Sequence, residues 1–93
     1  MATIVWTSKS KNSYSDILQY TMDHATDAAI KLDDKVERQL DKLTRFTHLC
    51  ASSQQFPELR RCVITKHISM YYEIKGNYII LHGFSDNRKR NPF

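Results

Sequence analysis

Basic and aromatic side chains crowd the C-terminal part of this sequence, where Arg60, Arg61, Lys66, His67, Tyr71, Tyr72, His82, Arg88, Lys89 and Arg90 all fall. Histidine titrates near neutrality, tyrosine donates or stacks, and Arg and Lys hold phosphate or carboxylate oxygens. Such a set suits acid–base chemistry or the binding of an acidic partner, either nucleic-acid phosphates or an acidic protein. The candidates for holding a target or nucleic acid are Arg60, Arg61, Lys66, His67, Tyr71, Arg88, Lys89 and Arg90, with His82 a further candidate functional side chain. Each has a plainer reading: Arg60 and Arg61 as surface ion pairs with the helices or Glu58, and Arg88 to Arg90 as a solvated tail. The histidines (His24, His48, His67, His82) are scattered, and Cys50 and Cys62 lack a CxxC or Cys/His ligand spacing. No metal and no cofactor are expected, and both cysteines are read as buried thiols.

These side chains must be positioned by a small set of elements. Thr3 to Thr7 is short, β-branched and aromatic and reads as a first strand. From Lys9 to about Ala25, Tyr14, Ile17, Leu18, Thr21 and Met22 recur at helical steps, with Ser8 as the expected N-cap. A second helix runs from a cap at Thr26 or Asp27 to about Leu49, with Ala29, Leu32, Val36, Leu40, Leu43 and Phe46 on one face. After the loop Cys50 to Pro57 the period changes from near 3.6 to 2. Leu59 to Thr65 and His67 to Lys75 read as strands, and Gly76-Asn77 turns the chain into a last strand, Tyr78 to Phe84. The order β-α-α-β-β-β predicts an α+β fold, a helical hairpin packed on one face of a small, mostly antiparallel sheet whose other face is open. Alternation sends Ile68, Met70, Tyr72 and Ile74 toward the helices, and His67, Ser69, Tyr71 and Glu73 away from them. Arg61, Ser69, Tyr71 and His82 would then gather on the open face, with Arg88, Lys89 and Arg90 just past the sheet edge.

A chain of 93 residues has room for one domain, 1–93. Its longest apolar run, Tyr78 to Leu81, falls far short of the roughly 20 residues a bilayer-spanning helix needs. The N-terminus offers only Ile4, Val5 and Trp6, too little for a secretory leader, so a cytoplasmic protein that stays off the membrane is expected. The net charge of +4 is unevenly spread: residues 1–58 carry seven Lys/Arg against eight Asp/Glu, and residues 59–93 carry seven against Glu73 and Asp86 alone. That surplus in the C-terminal part favours an acidic partner through local potential and steering.

The element order, the segment Phe56-Pro57-Glu58-Leu59-Arg60-Arg61, the run Lys66 to Ile74 and the ending Phe84-Ser85-Asp86-Asn87-Arg88-Lys89-Arg90-Asn91-Pro92 together resemble the RelE/ParE toxin superfamily. Ile4-Val5-Trp6-Thr7 is similar to that family's first strand. The resemblance covers nearly the whole chain and implies the toxin half of a type II toxin–antitoxin module, partnered by a cognate antitoxin that wraps over it. RelE-like members cut mRNA in the ribosomal A site without a metal, using Lys, Arg and Tyr, and ParE-like members inhibit DNA gyrase. Here Arg60 and Arg61 are followed by Cys62, Val63 and Ile64, so the nuclease's lysine pair is absent. Ser69 stands where an arginine is common, and no tyrosine follows Arg88. These departures favour the gyrase branch, with the ribosome-dependent mRNA endonuclease as the alternative, and only in that RelE-like case does the resemblance imply Arg61, His82 and Arg88 as catalytic residues. A further alternative is a non-catalytic nucleic-acid-binding module in which an exposed Tyr71 stacks on bases.

Overall fold

A computed structural model describes residues 1–88, and the expected site residues Lys89 and Arg90 lie outside them. The elements follow the expected order: β1 (Thr3–Trp6), α1 (Ser8–His24), α2 (Thr26–Arg45), β2 (Arg60–Val63), β3 (Ile68–Lys75) and β4 (Tyr78–Asp86). They form a four-stranded sheet in the order β1-β4-β3-β2, in which β4 pairs antiparallel with β3 and β3 antiparallel with β2. Only β1 runs parallel to its neighbour, because the whole helical hairpin and two strands separate it from β4. No described helix is long and apolar enough to cross a membrane.

Local chemistry sets the boundaries. The N-cap of α1 is Thr7 rather than Ser8, since Thr7 Oγ1 accepts the Ser10 N–H at 3.1 Å and Ser8 is already helical. The Thr7 hydroxyl also donates to the Leu81 carbonyl, which fixes the helix start against β4. Beyond the end of β1, the Phe84 N–H is taken by Ser13 Oγ at 2.9 Å. Polar side chains of α1 thus complete the edge of β4 that β1 is too short to cover. Ala25, extended, separates the helices and caps α2 without a side-chain bond, so neither Thr26 nor Asp27 has that role. α2 ends at Arg45, well before Leu49, and leaves Phe46 63% exposed instead of on the buried face. At the β3–β4 turn Gly76 has a φ of +56°, a value open to glycine and strained for most other residues.

Between helices and sheet lies one core of Ile17, Leu32, Val36, Leu43, Cys62, Ile68, Met70, Tyr72, Ile79, Leu81 and Phe84. The predicted inward set of β3 is correct: Ile68, Met70 and Tyr72 are buried in this core and Ile74 packs against it. Trp6 stacks on Phe84 with ring centroids 5.7 Å apart, and Tyr14 meets Phe84 at 4.8 Å, so β1, α1 and β4 share one aromatic cluster. The opposite face is not open along its whole length. Ser69 is fully buried, its hydroxyl 3.4 Å from Asn87 Oδ1, and Tyr71 is only 4% exposed, because Phe56 of the connection between α2 and β2 packs on its ring.

Two phenols, the buried Tyr72 and the half-buried Tyr14, make stability sensitive to alkali. Burial and the hydrogen bond to Asp33 raise the Tyr14 pKa above its ordinary value, and burial raises that of Tyr72, whose hydroxyl donates to the Thr47 carbonyl. At pH values below the unfolded phenol pKa near 10, both states are protonated and this contribution is complete. As the pH climbs toward the raised folded values, the unfolded chain loses its protons first, so stability falls. Urea midpoints measured on both sides of about pH 10 should show that loss. Tyr14→Phe should reduce the alkaline slope, and an unchanged slope would refute the assignment to Tyr14.

Candidate functional site

A groove of about 730 Å³ lies on the sheet face away from the helices, lined by Ala51, Ser52, Ser53, Gln54, Gln55, Arg61, Tyr71, Ser85, Asp86 and Asn87. Its wall is the segment 51–55, which runs beside the start of β2. Ser52 bridges antiparallel to Arg60, the Ser53 N–H donates to the Leu59 carbonyl, and the Arg61 N–H donates to the Ala51 carbonyl. Ser53 Oγ accepts the Phe56 N–H, which turns the chain before Pro57. These bonds occupy the outer edge of β2, an edge otherwise open to pairing with another chain.

A disulfide between Cys50 and Cys62 closes this segment, correcting the expectation of two free thiols. Sequence spacing gives no sign of the pair, because the cysteines meet only when the chain returns from the end of α2 into β2. Cys62 is 2% exposed, and Gln39 Nε2 of α2 donates toward both sulfurs, at 3.6 and 3.8 Å.

Strand alternation separates the two adjacent arginines. Arg61 pairs in register with Tyr71 and lines the groove, whereas Arg60 pairs with Tyr72 on the helix side. Its Nη1 donates to the Cys50 carbonyl at 2.7 Å, so it ties the loop rather than facing the groove. Among the described residues neither arginine takes part in the ion pair with Glu58 or the helices that was the plainer expectation, whereas Asp34 pairs with Arg38 and Asp41 with Arg45 on the surface of α2. Phe56 meets Tyr71 edge-on, with centroids 5.9 Å apart. Tyr71 is therefore covered and offers no open face on which a base can stack, contrary to the expectation of an exposed ring.

His82 is displaced by a β-bulge. The register passes from Tyr71 opposite Gly83 to Tyr72 opposite Leu81, which leaves His82 as the extra residue of β4. Its Nε2 lies 2.7 Å from Glu73 Oε1, and it does not line the groove. Arg88 lies past the end of β4 and turns back on Asp86. Nε donates to Oδ1 at 2.9 Å and Nη2 to Oδ2 at 2.6 Å, a two-pronged pairing with a carboxylate only 6% exposed. These bonds to Asp86 hold the guanidinium pKa above its ordinary value. The expected catalytic set is thus divided: Arg61 is in the groove, His82 is on Glu73 and Arg88 is on Asp86.

Lys66 and His67 belong to the β2–β3 turn, at the same end of the sheet as Arg88. Asn87 joins that turn to the groove, its N–H donating to the His67 carbonyl and its side-chain amide reaching the Lys66 carbonyl at 3.4 Å. Thr65 Oγ1 accepts from the His67 and Ile68 N–H groups and keeps the turn tight. Lys66 is exposed and His67 half-buried beside the groove's end. The groove is also lined by the amide and hydroxyl groups of Ser52, Gln54, Gln55, Ser85 and Asn87, which do not titrate and were not among the expected site residues. Their one sequence signal is the polar run Ser52 to Gln55 before Pro57.

No family model matches the sequence, and no curated protein matches it. Among solved structures, a chain from the chromosomal ParDE TA (toxin–antitoxin) system of P. aeruginosa superposes with a TM-score of 0.75. It is 18% identical, and the match covers 92% of this chain and 96% of that one. The two chains share one fold, two helices packed on a small four-stranded mixed sheet.

Proposed function

We propose that this chain is the toxin component of a type II toxin–antitoxin module and that it inhibits DNA gyrase, in the manner of ParE, without cutting RNA. The fold, shared along nearly the whole length of both chains with a ParDE structure, supports the module. The observation that carries the choice of target is the pairing of the expected catalytic groups. A metal-free ribonuclease needs a base free to take the 2′-hydroxyl proton and cations free to meet the developing charge. His82 is instead engaged by Glu73, and the Arg88 charge is balanced by a buried carboxylate. Arg61, among serine, glutamine and asparagine side chains, suits recognition of a folded protein surface by charge-assisted hydrogen bonds. The nucleic-acid-binding alternative loses its main support, because Phe56 covers the Tyr71 ring.

A cognate antitoxin is the second partner, one that meets the basic C-terminal part with carboxylates and covers exposed apolar residues such as Met22 and Ile30 on the helical hairpin. The cytoplasm is the location this reading of the two partners calls for. Induced expression of this chain alone should arrest bacterial growth, and co-expression of the small protein encoded beside it should restore growth. Normal growth at high levels of soluble, folded protein would refute the toxin reading.

A further inference from the structure

The Cys50–Cys62 disulfide joins the two ends of the segment that makes the groove wall, so its oxidation state bears on the groove and not only on the core. Without it the wall still has the Ser52–Arg60 bridge, the bonds Ser53 N–H to Leu59 O, Arg61 N–H to Ala51 O and Arg60 Nη1 to Cys50 O, and the Phe56 edge against Tyr71. Segments held by so few interactions open locally while the rest of a fold stays closed. Cys50 is half-buried and Cys62 nearly inaccessible, so Cys50 is the more accessible of the two cysteines for an incoming thiol. Gln39 Nε2 stands 3.8 Å from Cys62 Sγ, where it can stabilise that sulfur as a departing thiolate.

We propose that the Cys50–Cys62 pair is a redox latch on the groove wall, opened by a dithiol reductant and closed again by a disulfide oxidant. In opening, a reductant thiolate attacks Cys50 Sγ, the Cys50–Cys62 bond breaks, and Cys62 leaves as a thiolate that takes a proton. The reductant's second thiolate then attacks its own sulfur in the mixed disulfide and releases Cys50, which also takes a proton. The chain gains two electrons and two protons, and the reductant becomes a cyclic disulfide. Closing a loop of this length restricts the open ensemble by a factor on the order of 100, and that factor is lost on reduction.

The test is amide hydrogen exchange on the whole purified chain, oxidised and then reduced with dithiothreitol. Reduction should accelerate exchange at Ser53, Phe56, Leu59 and Arg61 by roughly 100-fold, leave Tyr72 and Phe84 unchanged, and be reversed by glutathione disulfide. The Cys50→Ser/Cys62→Ser double variant should exchange like the reduced chain; if it does not fold, reduction of the wild-type chain decides. Gln39→Leu should slow cleavage by dithiothreitol several-fold. Unchanged exchange at the four wall amides, equal acceleration across β3 and β4, or two free thiols in the aerobically purified chain would overturn the latch. Its effect on a target rests on the toxin reading above. A working latch with gyrase inhibition equal in both redox states would leave the latch standing and remove the groove from target recognition.

Discussion

Replacing Phe84 by alanine is expected to lower stability by about 3–5 kcal/mol. The ring is 1% exposed and sits where β1, α1 and β4 meet, stacked on Trp6 and tilted against Tyr14. Its removal forfeits the transfer free energy of a buried aromatic side chain and the packing against both neighbouring rings. It also leaves a cavity walled by side chains of three elements, which cannot all move inward together. A domain has only about 5–15 kcal/mol to lose, so this single change should consume much of the margin. The check is urea unfolding under oxidising conditions, where the midpoint should fall with little change in the slope. Ile30→Ala, at a side chain 63% exposed on α2, is the control and should stay within about 0.5 kcal/mol. Equal losses at the two positions would contradict the placement of the core.

Much of this architecture was legible in residue periodicity. Leu32, Val36 and Leu43 lie at helical spacing and are buried on α2, and Met70 and Tyr72 lie at strand spacing and are buried on β3. Both patterns record which side of an element faces apolar surroundings, and a single core reads them directly. Gly76-Asn77 announced its turn because the backbone there needs a positive φ. The site was less legible, because its geometry depends on pairings between distant segments. Arg60 and Arg61 are neighbours of the same type, yet β2 gives one to a loop carbonyl and the other to the groove. Strict alternation cannot anticipate the bulge that moves His82 onto Glu73, since one inserted residue changes the register of everything beyond it. The disulfide and the covering of Tyr71 by Phe56 both arise from the path of a loop that carries no periodic signal. The pairing of Arg88 with Asp86 is local, and here the aspartate two residues before the arginine was a signal available in the sequence.

The balance of charges around the groove decides which chemistry this fold supports. Removing Arg61 should leave the fold intact and take away the cation that lines the groove within β2. Deleting one charge-assisted hydrogen bond at a buried interface costs roughly 1.5–3 kcal/mol, which is about a 10- to 100-fold fall in potency. Arg61→Ala should therefore keep its urea midpoint and inhibit its target far less. Loss of inhibition accompanied by an equal fall in stability would point to a structural role for Arg61 instead.

The most direct test of the proposed activity uses the purified, oxidised chain in two parallel assays, DNA supercoiling by gyrase and cleavage of mRNA on translating ribosomes. The account predicts that supercoiling is blocked, that mRNA stays intact, and that Arg61→Ala relieves the block by about 10- to 100-fold. Cuts in mRNA at fixed codon positions with gyrase unaffected, and a cleavage rate that collapses in His82→Ala while ribosome binding persists, would contradict it.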